Sequence, residues 1–123
     1  MRDDISMIRS KRSYEAANLL YENEFYDECV SRCYYSMFYL VQGLFMERGL
    51  QYSTHSGLIS QFGKHFVKDG PLDKEYSKIL NKGFERRMLG DYGQVNTTSK
   101  ETASKALDEA NIFNRKIREL LED

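Results

Sequence analysis

The sequence predicts an all-α fold: an antiparallel up-and-down helical bundle of four long helices plus one short helix, in a single domain over residues 1–123. Three observations lead there. One proline and eight glycines in 123 residues are too few turn formers for a many-stranded sheet. Apolar residues recur every three or four positions through long stretches. A chain of 123 residues that is 41% hydrophobic and 30% charged can fill one core and has no room for a second.

The first helix is expected from about Asp4 to Asn23, with Ile5, Ile8, Ser13, Ala16, Ala17 and Leu20 inward and Arg9, Lys11, Arg12 and Glu15 between them. Asn23 to Tyr26 breaks the pattern. The second helix, about Asp27 to Arg48, opens on an acid that suits the positive end of a helix dipole and closes at Gly49. Val30, Tyr34, Met37, Val41 and Leu44 form one stripe, which Tyr35, Phe38 and Phe45 widen. A helix apolar on most sides is buried on most sides, so this one is expected at the centre. A short third helix, about Thr54 to Val67, carries Leu58, Ile59, Phe62 and Phe66 inward. Lys68-Asp69-Gly70-Pro71 reads as a turn. The fourth helix, about Leu72 to Leu89, buries Leu72, Tyr76, Ile79, Leu80, Gly83 and Phe84, and Gly90-Asp91-Tyr92-Gly93 interrupts it. The fifth opens with Thr98 and Glu101 as a capping box. Its stripe runs from Ala103 through Ala106, Leu107, Ala110, Phe113 and Ile117 to Leu120 and Leu121. Glu28–Arg32, Glu101–Lys105 and Arg115–Glu119 are spaced for ion pairs on helix surfaces.

The totals exclude more than they assign. A formal net charge of −1 rules out a polycation that coats nucleic acid, so any such surface must be a local cluster. No apolar run reaches the roughly 18 residues of a bilayer-spanning helix. Met1-Arg2-Asp3-Asp4-Ile5 has no apolar leader segment, and the expected address is cytoplasmic. Cys29 and Cys33, the two cysteines, read as small buried thiols. No metal site and no cofactor are expected.

Arg87 stands out because it shares the inward stripe of the fourth helix, and a buried arginine needs a partner. Asp91, four residues on, fits as a structural partner. Alternatively, the guanidinium is presented to a phosphate. Lys74, Lys78, Lys82 and Arg86 form a basic row that suits either a solvated face or a phosphate backbone. Tyr34, Tyr35, Tyr39 and Tyr92 suit core or dimer interface, or stacking on bases. His55, beside Ser53, Thr54 and Ser56, reads as a helix-entry hydrogen-bonding group or an acid–base group.

Taken together, these residues resemble the HEPN-domain family in its small stand-alone UPF0332-type branch. The resemblance rests on Ser31-Arg32-Cys33-Tyr34-Tyr35-Ser36-Met37-Phe38-Tyr39, on Thr54-His55-Ser56-Gly57-Leu58-Ile59-Ser60 with Phe62 to Val67, and on Phe84-Glu85-Arg86-Arg87 followed by Asp91-Tyr92-Gly93. It implies a helical bundle that forms a homodimer and works beside a small nucleotidyltransferase, often in a toxin–antitoxin system. Active members are metal-independent ribonucleases whose motif is an arginine followed, four to six residues later, by a histidine. Arg87 matches the arginine. Tyr92 stands where the histidine could be. A phenol with a pKa near 10 is a poor general base, so the departure spares phosphate binding and removes the usual base.

Three expectations follow. The first is a nucleotide- or RNA-binding dimer partnered with a nucleotidyltransferase, with Arg87, Asp91, Tyr92, Lys82 and Arg86 at the phosphate and Arg32, Tyr35 and His55 as secondary contacts. The second is a metal-independent ribonuclease toxin that uses Arg87 with Tyr92 or His55. The third is a purely structural protein-docking module. The dimer is expected through the second helix and the end of the fourth.

Overall fold

The structure is a computed structural model that describes residues 4–92 and 97–122, without the side chains of residues 4 and 90–92. Five α-helices follow in order: α1 (Asp4–Glu22), α2 (Tyr26–Arg48), α3 (His55–Phe62), α4 (Lys74–Tyr92) and α5 (Lys100–Glu122), with a π-helical segment (Gly63–Lys68) directly after α3. The bundle of four long helices and one short one is the expected architecture. The sense of packing is read from cross-contacts. Tyr21 meets Tyr26, Ser10 meets Ser36 and Arg9 meets Tyr39, so α1 and α2 run antiparallel. Asp27 with Thr98 and Ser36 with Asn114 run α5 parallel to α2, as the diagonal pair of an up-and-down bundle must.

The second helix is central, as its sequence requires. Cys29, Val30, Cys33, Tyr34, Met37, Leu40, Val41, Leu44 and Phe45 are all buried. A polar clasp ties three helices together inside. Ser10 donates to the Ser36 carbonyl at 2.6 Å. Asn114 donates to the Ser36 hydroxyl at 2.9 Å, and that hydroxyl donates to the Cys33 carbonyl at 2.7 Å. The Ser10 and Asn114 donors are satisfied across helix boundaries, which a purely apolar seam would not specify. Cys29 and Cys33 are free, buried thiols. Their mutual contact and burial push the Cys33 thiol up.

Several local expectations need correction. The buried face of α1 is Ser6, Ser10, Ser13 and Ala17, while Ile5 and Ile8 are 62% and 58% exposed. Small side chains let α1 lie close on α2, and that places the isoleucines outside. The fourth helix starts at Lys74, after Leu72 rather than at it, and continues through Gly90 to Tyr92. The cap of α5 is Ser99, whose hydroxyl accepts from the Thr102 N–H at 3.1 Å. The Thr98 N–H is instead bound by the Asp27 carboxylate at 3.0 Å, so Asp27 ties α2 to the start of α5. None of the three expected surface ion pairs forms: Arg32 lies over the Tyr35 ring, and Glu119 pairs with Lys116 at 3.6 Å.

Two glycines have positional work. Gly49 closes α2 at φ +69°, and Leu50 returns its N–H to the Phe45 carbonyl at 2.8 Å. Gly83 is where α4 meets α2. A Cβ there would fall 2.6 Å from the Met37 methyl and 3.5 Å from Tyr34 Cδ1. Among the described residues, no helix is long and apolar enough to cross a membrane. Gly49→Ala should lower unfolding stability by about 1 kcal/mol, because nothing surrounds that position and only the left-handed backbone resists a Cβ. Urea denaturation of the two proteins measures the difference.

Candidate phosphate-binding site

The site is built where α2, the start of α3 and α4 converge. Tyr34 is fully buried, and burial pushes its phenol up, against the lowering effect of the nearby Arg87 charge. The hydroxyl therefore stays protonated and needs a partner. It has one in His55, whose Nδ1 lies 2.7 Å away. His55 is the first residue of α3, whose cap is Thr54, accepting the Gly57 N–H at 3.0 Å. Because Thr54 does the capping, the imidazole is released to turn inward. It stacks on Phe38 with ring centres 4.4 Å apart and planes 16° apart. Phe84 of α4 lies nearly parallel to it at 6.1 Å. The helix-entry role expected of His55 thus belongs to Thr54.

Arg87 comes to the same place from α4. Its guanidinium carbon stands 5.3 Å from the centre of the Tyr35 ring. The Arg32 guanidinium stands 5.1 Å from the same ring, and the His55 ring meets Tyr35 edge-on at 6.1 Å. One half-buried tyrosine is thus the platform for two cations and one imidazole. Burial, and then the positive charge of Arg87, hold the His55 pKa below its ordinary 6.5. The imidazole is neutral at pH 7, with one nitrogen committed to Tyr34.

The expected site residues are therefore divided. Arg87, Arg32, Tyr35 and His55 are brought together. Arg86 is turned away to α5, where it donates to Glu109 at 2.8 Å, which ties α4 to α5 and takes it out of the basic row. Lys82 stays exposed on the α4 surface. Asp91 and Tyr92 belong to the last turn of α4, but their side chains lie outside the described residues. Among the described residues no three His, Cys, Asp or Glu side chains gather as a metal-binding group. The sequence missed the Tyr34–His55 bond, since 21 residues separate the partners and only tertiary packing joins them. It also missed Arg9 and Arg12, which line a cleft beside Arg32 and Tyr39. Their three-residue spacing was visible, but what they face was not.

The comparisons with known proteins agree with this architecture. The HEPN domain model matches residues 5–120. A UPF0332 protein of Thermotoga maritima is 37% identical over 115 residues, 94% of this chain and 87% of its own. A protein of Methanocaldococcus jannaschii named "Putative toxin" is 37% identical over 113 residues, 92% of this chain and 77% of its own. A second protein of that organism with the same style of name is 31% identical over 114 residues, 93% and 84% of the two chains. The fold and the match over nearly the whole length define a small helical-bundle protein. The chain belongs to the HEPN domain family.

The coupling between Arg87 and His55 can be measured. Removing the cation in Arg87→Gln should raise the His55 pKa, read from the ring proton shifts by NMR. In the unaltered protein the depressed pKa means that the unfolded chain takes up this proton first as pH falls. Stability should therefore decline as pH drops from about 6.5 through the lower folded value. His55→Gln should flatten that part of the profile.

Proposed function

We propose that this protein binds the phosphate of a nucleotide or RNA at Arg87, as a homodimer that works with a small nucleotidyltransferase in a toxin–antitoxin-type system. The observation that carries the reading is the pair of guanidinium groups, Arg87 and Arg32, held against one contact residue, Tyr35, at 5.3 and 5.1 Å from its ring centre. A guanidinium is a fork of N–H donors that fits a phosphate bidentately. A neighbouring tyrosine face suits a base or ribose. His55, neutral and oriented, adds a hydrogen-bonding group of fixed direction. The toxin-type role is supported by the names of two relatives.

For the dimer, the faces expected were α2 and the end of α4. Most of α2 is used up in the protein's own core, which leaves Tyr35 and Tyr39 half-buried on it. At the end of α4, Met88 and Leu89 are 38% and 67% exposed beside Arg87. A dimer through this edge covers apolar surface and sets two copies of the site near each other.

The ribonuclease reading is favoured by one observation: an imidazole lies next to the motif arginine although it comes from α3, far away in sequence. Nδ1 is engaged with Tyr34, so Nε2 is the nitrogen that would exchange a proton with the RNA. The neutral ring accepts a proton at Nε2 in the tautomer whose Nδ1–H donates to the Tyr34 oxygen; with the Tyr34 hydroxyl donating to Nδ1, Nε2 carries the hydrogen and gives it.

Arg87→Ala should weaken nucleotide or RNA binding at least tenfold by calorimetry or gel retardation. Incubation of the unaltered protein with RNA in EDTA separates binding from cleavage. Cleavage that disappears in both Arg87→Ala and His55→Ala makes it a ribonuclease. Retention of RNA without cleavage leaves the binding reading. Absence of both, with a nucleotidyltransferase still co-purifying, leaves docking alone. Leu89→Glu should shift the sedimentation mass toward the 14.5 kDa monomer, while an unaltered protein already at that mass removes the dimer.

A further inference from the structure

We propose that the cleft between α1 and α2, lined by Arg9, Arg12 and Arg32, is a second phosphate-binding site that holds the backbone of a single-stranded polynucleotide running on from Arg87. The inference rests on the reading of Arg87 as a phosphate contact. It adds a site between α1 and α2 that shares Arg32 with the first.

The cleft has a volume of about 290 Å³ and is lined by Arg9, Arg12, Ser13, Ala16, Arg32 and Tyr39. Three of its six lining residues are arginines and none is acidic. The chain as a whole carries 19 acids against 18 lysines and arginines, so a general excess of base does not account for the cluster. Among the described residues, the ion pairs join Arg48 to Glu47, Arg86 to Glu109 and Lys116 to Glu119. Arg9, Arg12 and Arg32 are in none of them. Three like charges gathered without a carboxylate repel one another, and an anion in the cleft relieves that repulsion.

Two of the three arginines are also held in place. Arg9 stands 5.9 Å from the centre of the Tyr39 ring, and Arg32 stands 5.1 Å from that of Tyr35. A guanidinium fixed on a ring face loses less freedom when its N–H groups meet a phosphate. Tyr35 and Tyr39 lie 5.9 Å apart. The groups therefore follow one another as Arg87, Tyr35, Arg32, Tyr39 and Arg9, with Arg12 lining the same cleft. Cations interleaved with aromatic faces are what an unpaired strand requires: its phosphates need the first and its unstacked bases the second. A mononucleotide has phosphates for one end of this line only.

The test compares three ligands by fluorescence competition: a mononucleotide, a short unstructured oligoribonucleotide, and inorganic polyphosphate of equal charge. They are titrated against the unaltered full chain, Arg9→Ala/Arg12→Ala, Arg9→Lys/Arg12→Lys and Arg87→Ala, each checked for folding by thermal melting. Arg9→Ala/Arg12→Ala should weaken the oligonucleotide about tenfold at moderate salt and reduce its salt slope by roughly one to one and a half. The mononucleotide should be unaffected, and the lysine variant should keep most of the affinity. Oligonucleotide binding that ignores Arg9 and Arg12 but falls with Arg87→Ala overturns the cleft and leaves the Arg87 reading intact. Loss with the cleft variant and none with Arg87→Ala keeps the cleft and overturns the reading of Arg87. Polyphosphate that binds as well as the oligonucleotide overturns the assignment to a strand with bases. An unaltered protein that binds none of the three overturns both.

Discussion

The hydrogen bond between the Tyr34 hydroxyl and His55 Nδ1 is where fold and site become one object. Tyr34 sits at the middle of the central helix with no exposed surface, and a buried phenol without a partner would cost stability. Its partner is the first residue of α3, so the bond sets where that short helix begins and which way its first side chain points. The imidazole in turn lies between Phe38 of α2 and Phe84 of α4. Phe84 can come so near because its neighbour Gly83 lets α4 approach Tyr34 and Met37 closely. The same approach, one helical turn on, brings Arg87 to the face of Tyr35. Without the close packing at Gly83 there would be neither a stacked imidazole nor a positioned guanidinium.

This arrangement separates two kinds of polar group. The imidazole is kept neutral by burial and by the Arg87 charge. The guanidinium groups cannot give up their protons in this range. A site that combines permanent cations with a neutral, oriented nitrogen favours an anion. The near-zero net charge of the chain makes the local field depend on placement, not on composition. Arg86 illustrates this. It is adjacent in sequence to Arg87, yet its pairing with Glu109 cancels it, while Arg9 and Arg12, 70 and more positions away, add to the field.

What could be read beforehand follows from which interactions are local. The stripe of α2 was legible because apolar residues at helical spacing admit one interpretation, and the length of α5 for the same reason. The inward face of α1 was not. Hydrophobicity alone puts Ile5 and Ile8 inside, but the clasp of Ser10, Ser36 and Asn114 demands small polar residues there. Thr98 looked like the α5 cap because it heads a capping-box pattern. Asp27, from the other end of the chain, takes its N–H instead, and the cap moves one residue to Ser99. Gly90 looked like a break, yet α4 runs on to Tyr92, since one glycine costs a helix only about 1 kcal/mol. Arg87 was legible as an anomaly, a cation on an apolar stripe. Its neighbours were not, because Tyr35, His55 and Arg32 meet it through three different helix contacts.

The missing motif histidine gains a different meaning from this geometry. In sequence, Tyr92 in place of the imidazole argues against proton transfer. In space, an imidazole stands beside the arginine all the same, supplied by α3. It differs from an unpacked imidazole in one respect: it is locked by stacking and by Tyr34, and only Nε2 remains for other work. A locked ring is well suited to orienting a ligand and gives a fixed line of approach for one proton. It cannot follow a ligand that shifts during reaction. Binding demands only the first of these properties and cleavage demands that the ligand come to Nε2, so the ligand's fit to the arginine platform, not the presence of a base, is what decides between them.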